Sequence, residues 1–535
     1  MSPIVREYFR VPREDRAVYI HPAPADLAPL VERNRRAAAS WTGRVAGRPV
    51  AEFRASARQE IVALARRYTA AWGFPAAPWA EPAPLIVTGH QPPPFHPGVW
   101  FKNFLAGSLA GAVGGAAVNL TVDIDEVHAQ TLRFPTRAAA GPGGDEVRVA
   151  AVALAAPAGP IAFEEQPASA LRREALDEVL TLAPAACHDA LRRTWAHLVA
   201  AAEKAGSLGE AQGIARRRLE AELGLENLEL TVSRLADSDA FRLFAAEMLL
   251  RHEAFFHAYN DSLAEYRRVY RERSLAQPVP DLGRSGDRHE LPLWVWRAGG
   301  PRQRLWVEHR AGRLVILADR EEVAALDASG TPDAAAAGLA TLRREGWKVR
   351  PRALAMTLFV RLAVGDVFIH GLGGALYDKI ADGLFERFLG VAAPELVLAS
   401  CTVCLPLETY PATPRDLEAA RRAVRDWRFN PDRLPADAVR RRPEAAALID
   451  EKRRLLTARE PTREARTRAW HRVHAINETL AGLAPAGPPA AAARLTQVER
   501  ELRLNAILRN REYPFCVYPL EDLAAFYRQA TRPAE

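Results

Sequence analysis

Lysine is nearly absent from this 535-residue chain. Only Lys102, Lys204, Lys348, Lys379 and Lys452 occur, so arginine supplies almost all of the basic charge. Cysteine is also scarce, and four thiols (Cys187, Cys401, Cys404, Cys516) in so long a chain exclude a disulfide scaffold. No apolar run reaches the roughly 18 residues of a membrane span. GSLAGAVGGAAVNL comes nearest and is too short, with side chains too small. The segment MSPIVREYFRVPRED carries charges where a signal peptide has an apolar core. These absences predict a cytoplasmic protein with no membrane partner. No block of about five or six like charges marks a nucleic-acid arm. The net charge of +7 therefore points to an anionic small molecule at most, and nucleic acid is not expected as a partner.

What is present is a run of strand and helix patterns. Residues 1–80 are expected to be an N-terminal helical segment, with helical spacing at Ile61, Leu64 and Tyr68. LIVT (85–88) reads as a short buried strand, VWFKNFLAGSLAGAV as a helix, and AAVNLTVDID as a second apolar strand ending in acids. That unit suits a parallel crossover. DEVRVAAVALA, after GPGG, is expected to be a strand. Residues 167–275 are expected to be a helical insertion, with DAFRLFAAEMLLRHEAFFHAYNDSLAEYRRVY as one long helix N-capped by Asp239. Its aromatic residues, at helical spacing, belong to the core. A small β segment is expected over 290–320. PRALAMTLFVRLAVGDVFIHG is expected to return to buried strands, followed by the helix GGALYDKIADGLFERFLG and the strand PELVLASCTVCLP. The expected fold class is α/β. A core over 81–435 is built on a parallel sheet. Residues 436–511 are arginine- and alanine-rich. Ala469, Val473, Ile476, Leu480 and Leu483 step at helical spacing, as do Leu495, Val498 and Leu502, which predicts an antiparallel helical hairpin or short coiled coil. Residues 512–535 are expected to pack back on the core.

In an open parallel sheet, ligands bind beyond the carboxyl ends of the strands. The first strand runs into Thr88, Gly89, His90 and Gln91, followed by a stiff Pro92–Pro94 run. His96 and Gly98 then open a helix, where free N–H groups favour an anion. The same histidines would equally serve as helix caps. The second strand runs into Asp123 and Asp125, which share a face if the strand extends that far. A third segment, His370-Gly-Leu-Gly-Gly-Ala-Leu-Tyr377, follows a strand and opens a helix, so Gly371, Gly373 and Gly374 would turn backbone N–H groups toward a phosphate or carboxylate. A close-packed strand–helix turn would read the same way. Cys401 and Cys404 lack a second ligand pair at zinc-site spacing and read as structural; no resident metal centre is assigned.

Taken in order, VTGHQPPPFHPG, VDIDE and HGLGGALY resemble the motifs of the cysteine-adding enzymes (cysteine ligases) of bacillithiol biosynthesis. This chain resembles a divergent member, since His90 stands at the first glutamine of that family's Gln-Gln pair, Ile124 at a histidine and Leu372 at the loop proline. The resemblance runs from about residue 85 to 405. It implies a Rossmann-like core related to nucleotidylyltransferases, with a C-terminal coiled coil. It also implies a ligase that forms an amide bond between a cysteine-like amino acid and an amino-sugar-type acceptor, with ATP consumed, ADP a ligand and Mg²⁺ as its ion. On that resemblance His90, Gln91, His96, Asp123 and Asp125 are the expected catalytic set. Thr88, Gly89, Gly98, Lys102, Gly371, Gly373, Gly374 and Tyr377 are the expected nucleotide-binding set. The alternative is a scaffold with a decayed site, acting through its helical hairpin as a homodimer.

Overall fold

The computed structural model describes residues 4, 6–76, 78–128, 130–141, 144–156, 159–434, 439 and 442–532. The expected boundary at 435/436 and part of the GPGG turn lie outside the described residues. The protein is a mixed α/β structure, 52% helical. It divides into unit 1, residues 1–136, 150–404 and 511–535, and unit 2, residues 137–149 and 405–510.

The mostly parallel sheet of unit 1 is built, apart from its first edge strand, from short runs buried on both faces, as a helix-covered parallel sheet requires. Its strands are β1 (Ala17–His21), β2 (Leu85–His90), β3 (Ala116–Thr121), β4 (Leu228–Thr231), β5 (Val367–His370) and β6 (Val397–Thr402). In space they run β1-β6-β5-β2-β3-β4. All neighbours are parallel except β1, which lies antiparallel on β6. The chain grows outward from β2 through β3 to β4, then returns to the other side of β2 and builds β5 and β6. The strand order therefore reverses between β2 and β5. The helix Pro97–Ala112 connects β2 to β3, and Leu372–Leu384 connects β5 to β6.

A second sheet in unit 1 is antiparallel. It orders Glu321–Asp327, Arg313–Ala318, Gln303–Arg310, Arg288–Arg297 and Trp347–Pro351. It extends the small β segment expected over 290–320. The C-terminal segment belongs to unit 1 as well: Phe515 N–H donates to Phe95 O at 2.8 Å, and the Tyr527 hydroxyl to Pro97 O at 2.8 Å.

Several expectations are corrected. Residues 1–80 are not helical throughout, because β1 forms an edge of the main sheet. The region 167–275 contains β4, whose four residues are too few to stand out among helices. The long helix is two, Asp239–Leu250 and His252–Tyr270, broken at Arg251. Its N-cap is Ser238, whose hydroxyl accepts from Phe241 N, rather than Asp239. ALAMTLFVRLA (353–363) is a helix, not a strand. It is buried all round, so its apolar residues show no face.

Among the described residues, unit 2 is helical apart from the strand residues 137–141 and 144–149. The expected helices are Arg463–Gly482 and Gly487–Leu508, but they do not pack mainly on each other. Gly487–Leu508 lies along Pro414–Phe429, and Arg463–Gly482 lies along Pro443–Thr457. The core joins Val439, Ala445, Ile476 and Leu480, with Trp427 packed against it. The sequence spacing located the buried stripe of each helix; it carried no information on which helix would cover it. Pro414–Phe429 also places the start of this unit at Leu405 rather than at 436.

Candidate functional site

The carboxyl ends of β2 and β5, where the strand order reverses, open into a cleft of about 620 Å³. This lies in the range of small-molecule sites and at the position where doubly wound sheets bind ligands. Of the expected residues, Gly89, His90, Gln91, His96, Gly98, Lys102, Asp125, Gly371, Gly373, Gly374 and Tyr377 all line it. Thr88 and Asp123 do not.

His90 ends β2 and is buried. Its Nδ1 lies 3.0 Å from Gln91 O and its Nε2 3.3 Å from Asn103 Nδ2. Asn103 also donates to Glu220 at 2.6 Å, and Trp100 Nε1 donates to the same oxygen at 2.8 Å. Phe95 packs on the His90 ring with centroids 4.3 Å apart. Burial, with Arg216 and Lys102 nearby, holds the imidazole well below its ordinary 6.5, so it is neutral. A neutral ring donating from Nδ1 and accepting at Nε2 satisfies both bonds. His90 is therefore a positioning residue for the proline loop, with no nitrogen left for substrate.

Gln91 is exposed, and its side chain donates to Asp125 Oδ2 at 2.8 Å. His96 N-caps the helix Pro97–Ala112, its Nδ1 accepting from Gly98 N at 3.1 Å. Burial pushes that ring down to about 4, despite Glu512 at 3.5 Å. Lys102 is buried and donates to Gly89 O at 2.7 Å; burial lowers it to about 8. Gly98 is glycine for packing: an added Cβ would stand 2.5 Å from Cys401 O. Thr88 is fully buried, its hydroxyl donating to Ile369 O at 3.0 Å, which ties β2 to β5 below the cleft.

The Asp123–Asp125 expectation is corrected. β3 stops at Thr121, and the next residues turn, so strand alternation does not reach the two acids. Asp125 faces the cleft. Asp123 turns inward and accepts from Ser233 N at 2.9 Å and from Ser233 Oγ. Burial and the neighbouring Glu164 carboxylate push Asp123 up to about 7, against those two hydrogen bonds. Its ordinary value is 3.8. Between these values the folded chain binds more protons than the unfolded one. The contribution of Asp123 to stability is then expected to fall as pH rises from about 4 to about 7, and to level off above that. His90 and His96, held below 6.5, act in the opposite sense over this window, so the difference in denaturation midpoint between wild type and Asp123→Asn, followed across it, should show the slope.

His370 ends β5, and Gly371 N-caps the helix Leu372–Leu384. The first amides of that helix have no intrahelical acceptor and lie at its positive end. A Cβ on Gly371 or Gly373 would meet nothing, whereas one on Gly374 would stand 2.5 Å from His370 Nδ1. The His370 ring thus presents Nδ1 to the glycine turn at the cleft wall. Its Nε2 lies 3.6 Å from Asp378 Oδ2. Asp378 is fixed by Arg361 at 2.9 Å and the Thr357 hydroxyl at 2.6 Å, and Arg361 holds it below the usual carboxylate range. Tyr377 stands edge-on to His370, with centroids 6.2 Å apart. Burial pushes its phenol up to about 12, which keeps it a neutral donor.

The sequence motif around His370 does not by itself assign that residue a role. Nor does the sequence single out Ser400, Arg511 and Glu512, which line the same cleft. Arg511 donates to Ser400 Oγ at 3.1 Å and to Cys401 O at 2.8 Å. A histidine at a strand end with an acid eight residues on was the available signal for His370. No signal marked Arg511, which arrives from the far end of the chain. Among the described residues no helix is long and apolar enough to cross a membrane. Comparison with models of known protein families gives no match, and comparison with curated proteins gives none either.

Proposed function

We propose that this chain is a ligase that activates the carboxylate of a cysteine-like amino acid with ATP and joins it to an amino-sugar-type amine. The single observation that carries this reading is the convergence of Gln91, Asp125, His370, Tyr377 and the Gly371–Gly374 turn at the point where the strand order reverses. That strand order, running outward in both directions from β2, also supports the Rossmann-like reading of the sheet. Anionic phosphate groups would lie against the start of the helix Leu372–Leu384, where glycines leave room for them. Gln91 and Asp125 together offer a donor and an acceptor for an ammonium or hydroxyl group. A Mg²⁺ ion held between Asp123 and Asp125 does not fit, because Asp123 is sealed by Ser233.

Titration calorimetry with ATP, with and without Mg²⁺, tests the reading. Wild type is expected to bind one nucleotide. His90→Ala, which frees the proline loop, is expected to weaken it about tenfold, a loss worth about 1.4 kcal/mol. A folded wild type that binds no nucleotide would overturn the ATP-dependent reading. The other reading is a scaffold that dimerises through unit 2. It draws on Trp470 and Leu456, both more than half exposed there, and on the coiled-coil spacing of its helices. Sedimentation of the intact chain decides that point, since a strict monomer excludes it.

A further inference from the structure

Away from the cleft, in unit 1, three imidazoles gather where a helix start meets the antiparallel sheet. The chain break at Arg251 makes His252 the first residue of the helix His252–Tyr270. His289 lies on the strand Arg288–Arg297, opposite Val307. His309 is two residues beyond Val307 on the neighbouring strand and so shares the face of His289. The His252 ring centroid is 5.4 Å from that of His289 and 5.1 Å from that of His309.

His252 and His289 are 2% and 3% exposed, and each keeps one ring nitrogen without a hydrogen-bond partner: Nε2 of His252 and Nδ1 of His289. An unsatisfied buried polar atom costs about 1–3 kcal/mol, so two on adjacent rings call for a shared explanation. His252 Nδ1 lies 3.1 Å from Leu249 O. That contact fixes the proton on Nδ1 and leaves the Nε2 lone pair free, the usual support of a metal-bound imidazole. Glu253 adds a carboxylate. One ligand atom from each of His252, Glu253 and His289 lies within 4.8 Å of the other two. Zn–N bonds of about 2.1 Å define a tetrahedral edge of about 3.4 Å. The exposed Glu253 side chain can swing to shorten its own two edges, and a small rotation of the imidazoles would shorten the third.

We propose that His252, His289 and Glu253 form a binding site for one divalent first-row transition ion, zinc by its ligand set. Two imidazoles and one carboxylate select zinc-like ions over Mg²⁺ or Ca²⁺, which prefer oxygen alone. The fourth position is open to water or to His309. The ion would clip the helix His252–Tyr270 to the antiparallel sheet. It is separate from the ligase site and does not depend on that reading.

The experiment uses the full chain, stripped with a chelator and titrated with Zn²⁺ and with Co²⁺. One ion per chain is expected, with the visible absorption bands of a four-coordinate Co²⁺ centre and a rise in thermal midpoint on adding Zn²⁺. Glu253→Ala, at an exposed position that leaves the fold intact, should weaken Zn²⁺ at least about tenfold. His289→Ala should abolish the bands. The cleft has histidines of its own, so His96→Ala and His370→Ala serve as controls and should bind as wild type does. No tight ion in the wild type, binding unchanged in Glu253→Ala, or loss only in the cleft variants would each overturn the proposal.

Discussion

Asp366→Ala is expected to cost the folded protein about 3–5 kcal/mol, the loss typical of breaking a buried ion pair. Asp366 immediately precedes β5, and its carboxylate takes Arg54 Nη2 at 2.8 Å and Arg58 Nη1 at 3.1 Å. It also accepts from Leu85 N at 2.8 Å, which sets where β2 begins. Both arginines come from the helix Val50–Ala71, so one side chain joins that helix to the two strands that flank the cleft. Both guanidinium groups are buried. Without Asp366, Arg54 keeps only carbonyl acceptors, such as Leu362 O at 2.6 Å and Gly365 O at 2.9 Å, while Arg58 keeps Glu81. Hydrogen bonds would survive, but a buried positive charge would lose its counter-ion. Asp366→Asn keeps an acceptor for Leu85 N and should lose less. Denaturant midpoints followed through Trp100 and Trp296, both fully buried in unit 1, measure the difference. A loss below about 1 kcal/mol for the alanine variant would mean that the carbonyls alone balance the arginines.

Much of this arrangement was legible in the sequence, where local pattern and position agree. LIVT runs directly into polar residues, and it builds a buried parallel strand followed by a loop that lines the cleft. The same holds for HGLGGALY after DVFI. What failed did so for identifiable reasons. LELT is four residues long and sits among helices, so β4 gave no periodic signal. ALAMTLFVRLA is apolar but for Thr357 and Arg361, and a nearly continuous apolar run does not separate a buried helix from a buried strand. Asp123 and Asp125 look equivalent in sequence. One is turned inward by Ser233, 110 residues away, and no local rule supplies that contact. His90 looked like a free catalytic imidazole until Asn103 and the Gln91 carbonyl claimed both of its nitrogens.

On the proposed ligase reading, His370→Ala is expected to lower the rate of ATP-dependent amide formation about 10²–10⁴-fold, with nucleotide affinity little changed. An amine that attacks an activated carboxyl must lose a proton, and a base is needed at the cleft wall to take it. His370 lies at that wall, with Asp378 near its Nε2 but not hydrogen-bonded to it. Its Nδ1 faces the glycine turn, and its Nε2 lies toward an Asp378 carboxylate that Arg361 and Thr357 hold in place. His90 cannot serve as that base, because its ring is spent on the loop. Gly374→Ala reaches the same group from the other side. The new Cβ would stand 2.5 Å from Nδ1, so the ring must move, and a rate loss of similar size is expected. A purely structural role for His370 would lower stability and rate together. A chemical role predicts that added imidazole restores part of the rate in His370→Ala and none of it in Gly374→Ala, where the native ring still fills the space. Equal rates in wild type and His370→Ala would remove His370 from the chemistry and leave Tyr377 and Asp125 as the groups to test at the same wall.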